Sequence, residues 1–166
     1  MDIVKQVNAR DWLRYIQNDS SDLSWLAPHE EALISVIQRD IYRDSEFHRA
    51  YDLLLLVFSY FSLTVRYLDK WVGVLMDALL QAQSLRDNER QVQILRWIGQ
   101  AHLMMGKHDA SHDIFAIALE RADEGKIDHM MVASYAGLLK LYWFDLRQPL
   151  IHQVAEKAME TVRRVD

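Results

Sequence analysis

Residues 91–119 read QVQILRWIGQAHLMMGKHDASHDIFAIAL, and Gly106 near the middle separates two apolar patterns with helical spacing. Leu95 and Ile98 carry the pattern before Gly106, and Phe115 carries it afterwards. Glycine is the usual residue at a helix end, since it adopts the left-handed backbone conformation without steric cost. The stretch therefore predicts two helices joined at Gly106 as a hairpin.

The composition of the whole chain favours helices and excludes several kinds of site. The 166 residues include five Gly, two Pro and no Cys. Few Gly and Pro argue against a turn-rich all-β fold, and without a thiolate there can be no disulfide, zinc–thiolate site, iron–sulfur cluster or cysteine nucleophile. Lys and Arg number 19 against 24 Asp and Glu, so the net charge of −5 gives no reason to expect a nucleic-acid partner.

Helix start and stop signals occur along the whole chain, and we predict an all-α fold. Residues 1–45 are expected to form N-terminal helices, one of them starting at Pro28, with Glu30 and Glu31 on its surface. The most apolar stretch, residues 53–63, is too short for a bilayer, which needs about 20 apolar residues, so we interpret it as a buried helix. We expect no membrane span, no secretory signal and a cytoplasmic protein.

A shift of 40 residues aligns three blocks of the chain, which we place at about residues 52–91, 92–131 and 132–166. The superposed residues include Ala78, Ala118 and Ala158, then Leu79, Leu119 and Met159. Each block contains two helices. One such pair cannot cover its own apolar face, so stacked pairs are expected to share a continuous core.

The middle block has Gly99 in its first helix, Gly106 at the turn, and Phe115 and Ala118 in its second helix. This pattern resembles the tetratricopeptide repeat. The resemblance implies that residues 46–166 form a solenoid of about three αα-hairpins, against which residues 1–45 pack. The other blocks match more loosely, with Leu139 near the glycine position of the third.

Three features of the sequence depart from the family. His102 stands where the family has an aromatic residue, and Ser111 stands where it has alanine. The 40-residue period is also longer than the family's 34 residues and is similar to that of longer helical repeats in bacterial signalling proteins.

The resemblance also implies a binding groove on the concave face, built from side chains of the first helix in each block. Arg96 and Lys140 could hold a carboxylate, because both are cations and a guanidinium forms bidentate bonds to it. The alternative is that both are solvated surface charges. The predicted groove residues are Tyr60, Gln93, Arg96, Gln100, Lys140 and Trp143, with Tyr60 and Trp143 as aromatic anchors.

The histidines and the known catalytic motifs offer other kinds of site. His108 and His112 are four residues apart and could share a zinc or copper ion, with His102 as a third ligand. However, position 109 lacks the glutamate of a HExxH motif, and we predict surface histidines and no cofactor. The sequence contains no GxGxxG, GxxxxGK[ST] or GxSxG motif, so we do not predict an enzyme.

The last helix retains apolar residues, among them Ala158 and Val162, and no capping helix follows it. Either a second copy covers it, giving a homodimer through the C-terminal helix, or the chain is the N-terminal domain of a larger bacterial signalling or regulatory protein. The leading hypothesis is a non-enzymatic interaction or sensory module that binds a peptide, a partner helix or itself. The alternative is a small-ligand- or metal-binding helical bundle that uses His102, His108 and His112.

Overall fold

A computed structural model describes residues 7–18, 23–61, 68–145 and 147–165 of the chain. Within these ranges there are eight α-helices, one 3₁₀ helix at Ser24–His29 and no strand, which confirms the all-α prediction for this part of the chain. None of the described helices is long and apolar enough to cross a membrane. The α-helices are α1 (Ala9–Asn18), α2 (Glu30–Ile41), α3 (Phe47–Phe61), α4 (Leu68–Ser84), α5 (Asn88–Met104), α6 (His108–Glu124), α7 (Asp128–Phe144) and α8 (Gln148–Val165).

The chain divides into two compact units, residues 1–81 and residues 82–166. In the first unit α3 packs against both α1 and α2. The predicted boundary between residues 45 and 46 therefore separates two helices, α2 and α3, that share one unit. The assignment of residues 1–45 to a separate layer stays a prediction.

Helix α3 supplies much of the core of the first unit, as its apolar sequence predicts. Leu53 and Leu54 are fully buried, whereas Leu55 is exposed. The indole ring of Trp71 in α4 is also fully buried and stacks on Phe61 with ring centroids 5.4 Å apart. The part of the 53–63 segment beyond residue 61 lies outside the described residues.

The surface position predicted for Glu30 is wrong. Glu30 is buried, and its Oε1 atom accepts a hydrogen bond of 2.7 Å from Nε1 of Trp71. A buried carboxylate needs such a donor, because leaving it without a partner would cost the lost hydration. Glu31 is exposed as predicted, and it forms an ion pair of 2.9 Å with Lys70.

A second buried carboxylate, that of Asp40, joins α2 to α1. Its Oδ2 atom accepts a hydrogen bond of 3.0 Å from the backbone N–H of Ala9, the first residue of α1. Burial by itself would raise the pKa of Asp40, but the Arg39 guanidinium, the Ala9 N–H and Arg43 together hold the pKa below its ordinary value. The ionised carboxylate thus fixes the N-terminus of α1, where helical N–H groups lack intrahelical partners.

The second unit consists of the end of α4 followed by α5 to α8. Each of the helices α5, α6 and α7 packs on the helix that follows it, and α5 also contacts α7. Helix α7 begins and ends 40 residues after α5, and α8 begins 40 residues after α6. The helix bounds therefore recur at the interval that the sequence predicts.

Two turns of this unit, those after α5 and after α6, share one backbone conformation. Gly106 has a positive φ of 70°, as predicted, and Lys126 after α6 has a φ of 53°. In each turn the next N–H bonds back to the carbonyl five residues earlier, at 2.9 Å for Lys107 and 2.8 Å for Ile127. This is the Schellman arrangement, which satisfies the last carbonyls of a helix and reverses the chain direction within three residues.

Candidate binding groove

Phe115 of α6 lies between two glycines on neighbouring helices. It is only 2% exposed, and a Cβ atom added to Gly99 of α5 would lie 3.1–3.2 Å from its ring carbons. A Cβ atom added to Gly137 of α7 would come within 3.0 Å of three ring carbons, closer than real Cβ atoms approach. The backbone of α7 can therefore lie against the ring only because residue 137 has no side chain. The 40-residue shift places Leu139 near the family's glycine position in the third block. In the structure, the glycine that contacts Phe115 from this block is Gly137.

Ser111, which departs from the family alanine, also joins α6 to α5. Its side chain is fully buried, and its Oγ atom donates a hydrogen bond of 2.8 Å to the backbone carbonyl of Gly99. The hydroxyl thereby has a partner in the interior, where an unpaired polar group would be costly. The polar residue strengthens the same α5–α6 contact that Phe115 fills.

A pocket of about 260 Å³ lies over this contact, between α5 and α7. The facing residues of α7 have small or no side chains, which leaves open space beside Phe115. The lining residues are Arg96, Trp97 and Gln100 of α5, Phe115 of α6, and Ala133, Ala136, Gly137 and Lys140 of α7. We call this site the Arg96–Lys140 pocket.

The Arg96–Lys140 pocket has a cation on each of its two helical walls. Nη1 of Arg96 donates a hydrogen bond of 2.8 Å to Oε1 of Gln93 and lies 3.7 Å from the sulfur atom of Met130, so the guanidinium is held in place. Lys140 is exposed on α7. None of the described lining residues is acidic, and Gln100 adds an uncharged amide. The arrangement suits an anionic group with a planar, bidentate face, such as a carboxylate.

Three of the six predicted groove residues, Arg96, Gln100 and Lys140, thus line one pocket. Gln93 lies beside it and bonds to Arg96. Tyr60 belongs to the first unit, where its ring meets that of Phe61 edge-on at 5.1 Å. The pairing of Tyr60 with the other five residues stays a prediction.

Trp143 does not line the pocket, but it lies on the same face of α7 as Lys140, since residues three apart are neighbours on a helix. Its side chain is 68% exposed. Phe144 is 60% exposed and stands four residues after Lys140. The two exposed rings form an aromatic patch at the end of α7, about one helical turn from the lysine.

The histidines occupy separate surroundings. Nδ1 of His108 contacts Oδ1 of Asp145, and Nδ1 of His112 lies 3.3 Å from Oδ1 of Asp113. The buried Nδ1 atom of His102 has no hydrogen-bond partner, and burial, with a smaller contribution from Lys107, lowers the pKa of its ring. Over the part of the chain that the structure describes, no group of three His, Asp or Glu residues is arranged to hold a metal ion.

One sequence signal could have identified Gly137 earlier. A glycine inside a helix is unfavourable by about 1 kcal/mol relative to alanine, so its presence in the middle of α7 indicates a close approach.

No protein-family model matches this chain, and neither a curated protein nor a solved structure matches it.

Proposed function

We propose that residues 82–166 are a non-enzymatic interaction module that binds a partner peptide or helix through a carboxylate in the Arg96–Lys140 pocket. One observation carries the proposal. Two cations from different helices, Arg96 and Lys140, line a single pocket together with Gln100 and no acidic residue among those described. A carboxylate placed there would form charge-assisted hydrogen bonds, which contribute about 1.5–3 kcal/mol each.

We further propose that the helices form a solenoid similar to that of tetratricopeptide repeats. Support comes from the 40-residue recurrence of the helix bounds and from the contact of α5 with α7, the first helices of successive hairpins. In such a stack the first helices line one common face. A role as the regulatory domain of a larger bacterial signalling protein rests on analogy of fold alone.

The surroundings of the pocket define the partner further. Trp143 and Phe144 offer exposed aromatic surface next to Lys140 on the same face of α7. Exposed aromatic rings are frequent anchors at protein interfaces, because they bury a large area with few rotatable bonds. The partner expected here carries an acidic side chain or a terminal carboxylate, followed within one or two residues by an apolar side chain.

The proposal can be tested with two pools of random octapeptides, one with glutamate and one with glutamine at a fixed central position. Nitrogen-15 NMR of the protein follows the side-chain resonances of Arg96 and Gln100 during titration. We expect the glutamate pool to shift these resonances and to bind at least tenfold more tightly. A tenfold difference corresponds to about 1.4 kcal/mol, the energy of one charge-assisted bond.

Two variants separate the pocket from general electrostatics. Arg96→Glu should abolish the preference for glutamate, because it replaces the guanidinium that would bind the carboxylate. Circular dichroism and the melting temperature check that this half-buried substitution leaves the unit folded. Lys157→Glu makes the same change of charge on α8, outside the pocket, and should bind like the natural protein. Equal binding of both pools, or full binding by Arg96→Glu, would contradict the proposal.

A further inference from the structure

Helices α6 and α8 occupy equivalent places in successive hairpins, and their equivalent residues can be compared directly. On α6, Ser111, Phe115 and Ala122 are buried. The residues 40 positions later on α8 are Ile151, Ala155 and Val162. Val162 is 36% exposed, and Ile151 and Ala155 are only partly buried. Helix α6 packs on both α5 and α7, whereas α7 is the one described helix that packs extensively on α8.

Helix α8 therefore has two apolar sides. One side packs against the core of the unit through Leu150, Ile151 and Val154. The other consists of Ala155, Met159 and Val162, at the i, i+4 and i+7 spacing of a helix face, and we call it the outer stripe of α8. Met159 in its centre is 56% exposed. The equivalent residue on α6, Leu119, packs against the core.

The charges beside the outer stripe of one copy would complement those of a second, antiparallel copy. Glu156 and Arg163 are exposed and lie seven residues apart along the same edge of the stripe, on either side of Met159. Neither of them forms an ion pair with another described residue of the chain. A two-fold axis through Met159 would bring Glu156 of each copy opposite Arg163 of the other, which is the pattern of an isologous contact.

We propose that the outer stripe of α8 binds the same stripe of a second copy of this chain, with the two helices antiparallel. Met159 then meets its own counterpart on the axis, and the small Ala155 of one copy receives the larger Val162 of the other. Two Glu156–Arg163 ion pairs border the contact. A parallel arrangement would instead place Glu156 against Glu156, which is unfavourable. The Arg96–Lys140 pocket is formed by α5, α6 and α7 and takes no part in this contact.

The association should be weak and dependent on concentration. A contact made by one helix face is smaller than the about 1,200 Å² of a standard stable interface. Light scattering and sedimentation equilibrium of the purified chain should show the mass rising from 19.5 kDa toward twice that value as the concentration increases. Met159→Glu should raise the dissociation constant at least tenfold, so its mass should stay near that of a monomer at concentrations where the natural chain is largely dimeric.

Matched variants determine whether the stripe itself forms the contact. Ile117→Glu alters another exposed apolar residue, 41% exposed on α6, and should leave the dimer intact. Glu156→Arg and Arg163→Glu should each weaken the dimer, because each places like charges together, and the double variant should restore it. Circular dichroism confirms that each variant is folded.

The charge exchange gives the sharpest result, since a general loss of solubility or folding cannot produce a rescue. A natural chain that is monomeric up to about 1 mM would overturn the proposal. So would a dimer that survives Met159→Glu, an assembly larger than two copies, or a double variant as weak as the single ones.

Discussion

The two hairpins of the second unit, α5–α6 and α7–α8, have the same helical framework and different side chains at equivalent places. Their helices recur after 40 residues, yet Phe115 in the first hairpin corresponds to Ala155 in the second, and Leu119 corresponds to Met159. In the first hairpin these residues are covered by the next helix, and in the second Met159 is exposed. The comparison shows that helix lengths and turns determine the backbone arrangement of a hairpin. Individual side chains, together with the presence of a following helix, determine which residues are buried.

The largest difference between the hairpins is expected for one substitution made at two equivalent positions. Leu119→Glu places a charge against the core and should lower the free energy of unfolding of residues 82–166 by about 2–4 kcal/mol. Met159→Glu should change it by less than about 0.5 kcal/mol, because the side chain already faces solvent. Urea unfolding at low protein concentration, where association is absent, measures both. Equal effects would show that the two helices have the same environment.

The second prediction concerns the contact of Phe115 with its two glycines. Gly137→Ala should lower the free energy of unfolding by about 1–3 kcal/mol, since the added methyl group overlaps the ring. Gly99→Ala is the control, because its methyl group requires a movement of only a few tenths of an ångström and alanine favours the helix. We expect its effect to stay within about 1 kcal/mol. The ranking would be contradicted if Gly99→Ala were the more harmful change in thermal or urea unfolding.

A smaller effect is expected from pH, and it distinguishes α5 from α7. His102 corresponds to Tyr142, and burial lowers the pKa of His102 below its value in the unfolded chain. The neutral ring therefore contributes stability that is present above about pH 6.5 and is lost as the pH falls through the lower, folded-state pKa. His102→Phe should remove this part of the acid sensitivity. Unfolding measured at several pH values between 7.5 and 4.5 compares the two proteins, and identical pH profiles would refute the assignment.

The smallest expected effect is at the turns. Lys126 adopts a left-handed conformation that Gly106 adopts in the preceding turn. A side chain is disfavoured in this conformation, so Lys126→Gly should raise the melting temperature by a few degrees, corresponding to about 0.5–1 kcal/mol. Gly106→Ala should lower it by a similar amount. If Lys126→Gly is destabilising, side-chain contacts of Lys126 outweigh the backbone preference.

The helical class and the period could be predicted from the sequence, because both depend on local spacing and turn residues. Gly106 and the 40-residue shift of Ala118 and Ala158 contain that information directly. The 40-residue shift favours Leu139, and a glycine within a predicted helix is the one local signal that indicates Gly137. How far the Phe115 ring reaches toward α7 could not be predicted from either signal. The buried position of Glu30 was missed for a related reason: its partner, Trp71, lies 41 residues away in the sequence.

For the candidate site, the resemblance to the tetratricopeptide repeat implied Arg96, Gln100 and Lys140, and these three residues line one pocket. The same resemblance also implies a concave-face position for Phe144, although Phe144 is not among the predicted anchors. Its exposure depends on the absence of a covering element at that end of α7 among the described residues.

Phe115 belongs both to the core and to the lining of the Arg96–Lys140 pocket. Binding of a ligand in the pocket is therefore thermodynamically linked to the folding of residues 82–166. A ligand that binds only the folded form at 100 times its dissociation constant raises the free energy of unfolding by about 2.7 kcal/mol. A thermal-shift screen can therefore test whether a candidate ligand occupies the pocket. By the same linkage, any ligand that fills the pocket should make this unit more resistant to proteolysis, because it lowers the population of the unfolded form.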